Sequence, residues 1–110
     1  MDEQDFLVRA DAQLAAIEDA LERLHGSDVI DFDFEMKPGG VLELEFEDSS
    51  KIIVNRHAAA REIWLAARSG GFHYRWNGSA WIGTRDGEEL IAGLSRCISE
   101  HSGHSVNLAG

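Results

Sequence analysis

The sequence has little cysteine and no long apolar run. Its 110 residues include one cysteine, Cys97, so neither an intrachain disulfide nor a thiolate-rich metal site can form. No apolar run approaches the roughly 20 residues that a membrane-spanning helix needs. The first residues, MDEQDF, are acidic, which is not the pattern of a secretory signal peptide. We therefore expect a cytoplasmic protein.

Positive charge is scarce and unevenly placed. The chain carries 10 Lys and Arg against 20 Asp and Glu, a formal net charge of −10. This charge repels the phosphates of nucleic acids and anionic membranes, so we expect neither as a partner. Residues 1–50 hold 15 acids and 3 bases, whereas residues 51–110 hold 5 acids and 7 bases. A composition tuned only for solubility or salt would spread the acids evenly, so the asymmetry indicates a localised acidic surface.

The periodicity of apolar residues predicts one domain, residues 1–110, that begins with a helix. Apolar residues from Leu7 to Leu24 recur at steps of three and four, which predicts a helix of about 20 residues ending at Gly26. From Ile30 the period becomes two, which is typical of a half-buried strand. Further strands are predicted at 42–46, 51–55, 62–67, 72–76 and 80–83, separated by turn residues.

A second helix follows the last strand. Asp86 and Glu89 have the spacing of a capping pair, and apolar residues from Leu90 onward then trace one helical face to His101. Residues 103–110 are expected to form a loose C-terminal tail. This order predicts an α+β two-layer sandwich (α-β-β-β-β-β-β-α), in which two helices cover one face of an antiparallel sheet of five or six strands.

Carboxylates concentrate between residues 17 and 35, where 7 of 19 residues are acidic and Arg23 is the only fixed cation. On a helical wheel Glu18, Glu22 and His25 lie beside the buried stripe, whereas Asp19 can pair with Arg23. The next strand adds three more acids, Asp31, Asp33 and Glu35. A run of charge is usually only a solvated face. Because this run crosses two elements and stays unbalanced, we expect a functional surface.

The residue types of this surface suit hard cations such as Fe²⁺, Mn²⁺, Ca²⁺ and Mg²⁺. Glu22 and His25 have the spacing found in di-iron bundles, but such bundles need two such pairs and further inward-facing glutamates. Weak binding of several ions is therefore expected rather than a redox centre. Cys97 is expected to be a buried core thiol. His101 and His104 have ligand-like spacing, but a solvated position in the tail is the interpretation we prefer.

The predicted sheet offers a second feature, Trp64. With its neighbours Ile63 and Leu65 facing the core, Trp64 joins Ile53 and Asn55 on the face without helices. An exposed tryptophan there would be a plausible anchor for a partner. The alternative is that Trp64 packs flat on arginine stems such as that of Arg75, and the sequence does not separate the two.

Three segments, GGVLELEFEDSSKIIVNR, EIWLAARSGGFHYRWNGSAWI and TRDGEEL, resemble the frataxin family, and the small size suggests its bacterial CyaY branch. The resemblance runs from about Phe6 to Leu108. It implies weak iron binding on an acidic ridge and a role in iron–sulfur cluster assembly, with the cysteine desulfurase and its scaffold protein as partners. The implied acidic ridge comprises Glu18, Asp19, Glu22, Asp28, Asp31, Asp33 and Glu35.

The resemblance also implies two partner-binding positions on the sheet, Asn55 and Trp64, beside Glu18, Glu22, Asp31 and Asp33 of the ridge. His25 completes the candidate metal ligands. The chain departs from the family pattern at His57, where glutamine is common, at Lys37-Pro38, which lengthens the first hairpin and brings a cation near the ridge, and at His25 itself.

Three functions remain open. The favoured one is a non-catalytic iron-binding regulator of cluster assembly, in which iron, as Fe²⁺ or Fe³⁺, is weakly held and other divalent cations also bind. The alternative is a ferroxidase or iron-storage protein, which would need an inward-facing di-iron site or an assembled cage. The third is an acidic interaction module with incidental metal binding. We expect a monomer, with iron-induced oligomers as the alternative.

Overall fold

The computed structural model describes residues 1–109, which form two helices and six strands. The helices are α1 (Glu3–Gly26) and α2 (Leu90–Ser102). The strands are β1 (Phe32–Lys37), β2 (Val41–Phe46), β3 (Lys51–His57), β4 (Glu62–Ala67), β5 (Gly70–Trp76) and β6 (Trp81–Gly83).

The six strands form one antiparallel sheet in chain order, with β1 and β6 at its edges. Both helices pack on one face of this sheet, and the other face has no helical cover. The predicted α+β two-layer sandwich is therefore confirmed. Within residues 1–109, neither helix has the length and apolar character needed to cross a membrane.

The core lies between the helices and alternate residues of the strands. The middle of the predicted stripe of α1 is buried, from Ala10 through Leu14 to Leu21, whereas its end residues Leu7 and Leu24 are half-buried. Leu44 and Leu65 lie opposite it with the other inward-facing strand residues. Burial of one such side chain stabilises the fold by about 1.5–3 kcal/mol, so this stripe determines which face of α1 remains outside.

The start of α2 differs from the prediction. Glu89 is the N-cap, and its carboxylate accepts a hydrogen bond from the backbone N–H of Ile91 at 2.9 Å. Asp86 instead accepts from the N–H of Glu88 at 3.0 Å, within the turn that precedes the helix. The Asp86–Glu89 capping pair was therefore a wrong prediction, because Asp86 stabilises the local turn.

Residues 103–109 contact α2 instead of forming the expected loose tail. The N–H of Val106 donates to Ser99 Oγ at 2.9 Å, and the N–H of Leu108 donates to Ser95 Oγ at 3.0 Å. The side chains of Val106 and Leu108 are half-buried against the core. Two helical serines thus hold this segment. The last residue of the expected tail, Gly110, lies outside the described residues.

Candidate functional site

The first row of ridge carboxylates lies on the C-terminal half of α1. Glu18 is half-buried beside the core stripe, and Asp19 and Glu22 are exposed. Among residues 1–109, no ion pair within 4.0 Å joins Asp19 to Arg23, so that predicted pair is not formed. An exposed pair of this kind gains little against the side-chain entropy that it costs.

The second row begins where the chain leaves α1 and enters β1. Asp28 has a φ of 57°, a left-handed conformation that Asp tolerates better than most residues, and it helps to turn the chain towards the sheet. Asp31, Asp33 and Glu35 are all exposed. Because Phe32 is buried under the helices, alternation along β1 places Asp33 and Glu35 on the opposite, uncovered face. The two rows therefore flank the same edge strand from opposite sides.

The register of the first hairpin adds an acid that the sequence analysis did not assign. Asp33 of β1 pairs with Glu45 of β2, and both side chains are exposed. Like charges directly across two strands destabilise a sheet. Glu45 forms no ion pair within 4.0 Å in residues 1–109. The signal was the tight turn at 38–40, which fixes this register.

The cation expected near the ridge, Lys37, pairs with a carboxylate next to the ridge. Lys37 Nζ lies 2.5 Å from Glu43 Oε2, and Lys51 Nζ lies 3.0 Å from the other oxygen of the same carboxylate. Hydrogen bonds from Lys37 and then from Lys51 lower the pKa of Glu43. Glu43 lies opposite the ridge residue Glu35, so Lys37 lies beside the ridge as predicted but forms no ion pair with a ridge carboxylate.

His25 lies against β1 on the helical side of the sheet. Its ring makes edge contacts with Phe32 and Phe34, at centroid distances of 5.6 and 6.1 Å. It is thus separated by the strand from Asp33 and Glu35. Among residues 1–109, no three His, Cys, Asp or Glu side chains converge closely enough to hold a metal ion. The ridge is a series of separate carboxylates, at which water would complete the coordination of a hard cation.

A cleft of about 740 Å³ opens where the ridge meets the end of α2. Its titratable lining residues are His25, Asp28, Asp31, Glu47, Asp48, His101 and His104.

His101 is only 8% exposed, which corrects its expected position in a solvated tail. Both of its ring nitrogens are hydrogen-bonded, whereas His104 is exposed as predicted. Cys97 is fully buried, and burial raises the pKa of its thiol, as suits a core residue.

On the uncovered face, Trp64 is stacked between two histidines. The indole lies 3.9 Å from the ring of His57 at an interplanar angle of 11°, and 4.5 Å from the ring of His73 at 9°. Asn55 and His73 are its direct neighbours on the adjacent strands. Both alternatives for Trp64 need correction: imidazoles, not the Arg75 stem, cover the two indole faces, and the residue is half-buried rather than exposed. Its role as a partner anchor stays a prediction.

The carboxylate of Glu62 holds this stack in place through hydrogen bonds. Its side chain is 7% exposed and accepts hydrogen bonds from Trp64 Nε1 at 2.9 Å and from Arg75 Nε at 2.6 Å. His73 Nδ1 lies 3.3 Å from the same carboxylate. Burial would raise the pKa of Glu62, but the hydrogen bonds from Trp64 and Arg75 outweigh it, so the pKa is lowered. Glu62 is therefore a buried carboxylate that orients an aromatic surface.

Fold and site together define a small α+β sandwich with an unpaired acidic edge and an aromatic patch on its open face. The family model of the frataxin-like domain matches residues 1–104, and the chain belongs to this family. It is 52% identical over 108 residues to the iron-sulfur cluster assembly protein CyaY of Dechloromonas aromatica, with 98% of this chain and 99% of that protein covered.

Solved frataxin structures share the fold. The frataxin of Psychromonas ingrahamii, a member of the CyaY family, superposes with a TM-score of 0.84 at 33% identity, covering 98% of both chains. A trimeric frataxin from the yeast Saccharomyces cerevisiae, complexed with ferrous iron, superposes with a TM-score of 0.72 at 28% identity, covering 86% of this chain and 85% of that one.

Proposed function

We propose that the protein is an accessory protein of iron–sulfur cluster assembly. It binds iron weakly on the acidic ridge and docks on the cysteine desulfurase and its scaffold. Similarity to a cluster assembly protein along nearly the whole chain supports the pathway. Similarity to a frataxin complexed with ferrous iron supports iron as the cargo.

The observation that carries this proposal is the distribution of ion pairs. Within residues 1–109, six carboxylates form ion pairs, and they all lie outside the ridge: Asp11, Glu43, Asp48, Glu62, Glu88 and Glu100. The seven ridge carboxylates have none. A fold gains nothing from such uncompensated repulsion, whereas cations and basic protein surfaces are attracted by it.

The geometry favours an adaptor over the alternative, a ferroxidase or iron-storage protein. Ferroxidase chemistry of the di-iron type uses carboxylates that face inward around two metal ions. Here the ridge side chains are exposed or half-exposed, and the strand β1 separates their two rows. Such a surface holds hydrated ions at several weak positions. An assembly that joins ridges from several copies is the form in which the alternative would operate.

The test is an anaerobic Fe²⁺ titration beside a pull-down with the cysteine desulfurase. The ridge variant carries Glu18→Gln and Glu22→Gln, and the control carries the same changes at two exposed acids outside the ridge, Glu3 and Glu100. We expect the ridge variant to lose Fe²⁺ and desulfurase binding, and the control to retain both. Rapid Fe²⁺ oxidation on addition of oxygen would favour the ferroxidase. Desulfurase binding without Fe²⁺ binding would leave only an acidic interaction module.

A further inference from the structure

The stack on the open face contains two imidazoles, those of His57 and His73. Histidine is the side chain that ordinarily gains its proton between about pH 5 and 8. His57 and His73 lie flat on opposite faces of Trp64, and a protonated ring in that position gains a cation–π contact. His73 gains in addition the buried carboxylate of Glu62, 3.3 Å from Nδ1. Protonation therefore fits the observed arrangement without rearrangement.

The fixed charges around the stack offset one another, so the net charge of this patch depends on the two imidazoles. Glu62 on β4 is offset by Arg75 on β5, whose Nε lies 2.6 Å from it. Asn55 on β3 is uncharged. On β2, the next strand beyond β3, the charge of Glu43 is offset by Lys37 and Lys51. With neutral imidazoles the group of His57, Glu62, His73 and Arg75 has no net charge, and with both rings protonated it carries two positive charges. This patch would then be cationic on an otherwise acidic protein.

We infer that the Trp64 face binds a partner surface that presents carboxylates around an apolar patch, and that His57 and His73 make this binding proton-dependent. The inference rests on the proposed function, in which the protein docks on the scaffold, and it assigns the scaffold to the Trp64 face. The protein then has two docking surfaces of opposite character. The ridge attracts a basic surface at any pH at which its carboxylates are ionised, whereas the Trp64 face gains attraction for an acidic surface as the imidazoles become charged.

The test compares the wild-type chain with the double variant His57→Gln and His73→Gln. Glutamine keeps polarity and much of the volume but cannot take up a proton. Binding to the scaffold protein is measured by calorimetry at about pH 8 and about pH 6. The scaffold protein also takes up protons as the pH falls. The quantity compared at each pH is therefore the Kd of the double variant divided by the Kd of the wild type. The exposed His104→Gln variant is the matched control for loss of a histidine.

We expect the wild type and the double variant to bind alike at the higher pH, and the wild type to bind roughly fivefold more tightly at the lower pH. The His104 control should follow the wild type, and the difference should shrink at about 0.5 M NaCl. A ratio that is independent of pH would overturn the inference. A double variant that binds more tightly at low pH would also overturn it, because the imidazoles would then shield the indole.

Absence of scaffold binding for every variant at both pH values would refute this inference and the scaffold part of the proposed function together. Binding of the same preparations to the desulfurase through the ridge would still be measurable. Failure of the proton dependence and failure of the proposed function are thus distinguished. The indole Nε1 resonance of Trp64 gives an independent reading: its shift should follow pH in the wild type and lose that dependence in the double variant.

Discussion

His101 accepts a hydrogen bond from the backbone N–H of Arg68, with 3.0 Å between that nitrogen and His101 Nε2. Its other ring nitrogen lies 2.8 Å from Ser50 Oγ, which in turn donates to Asp48. One imidazole thus joins the end of α2 to the turns before β3 and β5. Because Nε2 accepts, the buried ring is neutral. Burial lowers the pKa of His101, and the charge of Arg68 acts in the same direction.

This contact predicts that the protein loses stability in mild acid. With the folded-state pKa below the ordinary 6.5, the unfolded chain takes up the proton first. The stabilisation that the neutral His101 ring provides is complete above pH 6.5. It is lost as the pH falls from 6.5 towards the folded-state pKa. Urea unfolding should show His101→Gln to be less stable by about 1–3 kcal/mol near neutral pH, and less sensitive to acid, than the wild type. An equal acid loss in His101→Gln and in the control His104→Gln would contradict this assignment.

Gly93 of α2 is required by a close approach to Tyr74 of β5. A Cβ at position 93 would overlap the Tyr74 hydroxyl and lie 2.9 Å from Glu88 Oε1. Tyr74 is 1% exposed and has no room to move away. Gly93→Ala should therefore lower the free energy of unfolding by about 1–3 kcal/mol. Gly26→Ala, at the open end of α1, is the control and should be neutral or stabilising. Equal stability of the two variants would show that α2 shifts freely on the sheet.

Cations should stabilise the folded ridge by mass action. Millimolar Ca²⁺ or Mg²⁺, and Fe²⁺ under anaerobic conditions, should raise the Tm more than NaCl of matched ionic strength. Glu18→Gln with Glu22→Gln should leave stability in salt-free buffer unchanged or improved, because repulsion is relieved, and should reduce the cation-specific shift. If all salts shift the Tm equally, the effect is screening alone. If the double variant is strongly destabilised, these carboxylates are structural.

Trp64→Ala should weaken partner binding by a mechanism other than charge. Removal of the indole eliminates apolar contact, so the loss should persist at high salt and should depend on the presence of the scaffold. Circular dichroism should stay native, because Trp64 lies on the open face. Pull-down from mixtures of desulfurase with and without scaffold measures the effect. A loss confined to low salt would indicate that Trp64 contributes only by positioning the charged neighbours of Glu62.

The layers of the fold could be predicted from the sequence because burial has a clear period. The spacing from Leu7 to Leu24 marks the buried face of α1, and the alternation after Ile30 marks the strands of the first hairpin. Local polar contacts were harder to predict. Asp86 and Glu89 both have capping chemistry, and only the structure shows that Glu89 caps α2. His101 also follows the apolar face of α2, and its burial shows that this signal was correct and that the solvated position we preferred was wrong.

The acidic region could likewise be predicted from charge, but the pairing of side chains could not. Glu45 lies opposite Asp33 because of the hairpin register, for which the turn at 38–40 is the only signal in the sequence. The stack on Trp64 joins His57, seven residues earlier, to His73, nine residues later, across three strands. Nothing in local periodicity specifies that both rings will lie flat on the indole. Such contacts depend on register and rotamers, which a single sequence does not encode in any short pattern.

The affinity of the cysteine desulfurase for a charge-reversed ridge tests the central claim most directly. Asp31→Lys with Asp33→Lys changes the charge by the same amount as Glu3→Lys with Glu100→Lys, two exposed acids outside the ridge. Attraction between the ridge and a basic surface acts over a Debye length of about 8–10 Å, so wild-type affinity should fall steeply with NaCl. We predict that the ridge reversal abolishes binding with a native circular dichroism spectrum, while the control still binds. Binding that ignores both NaCl and the Asp31 and Asp33 reversal would contradict docking through the ridge.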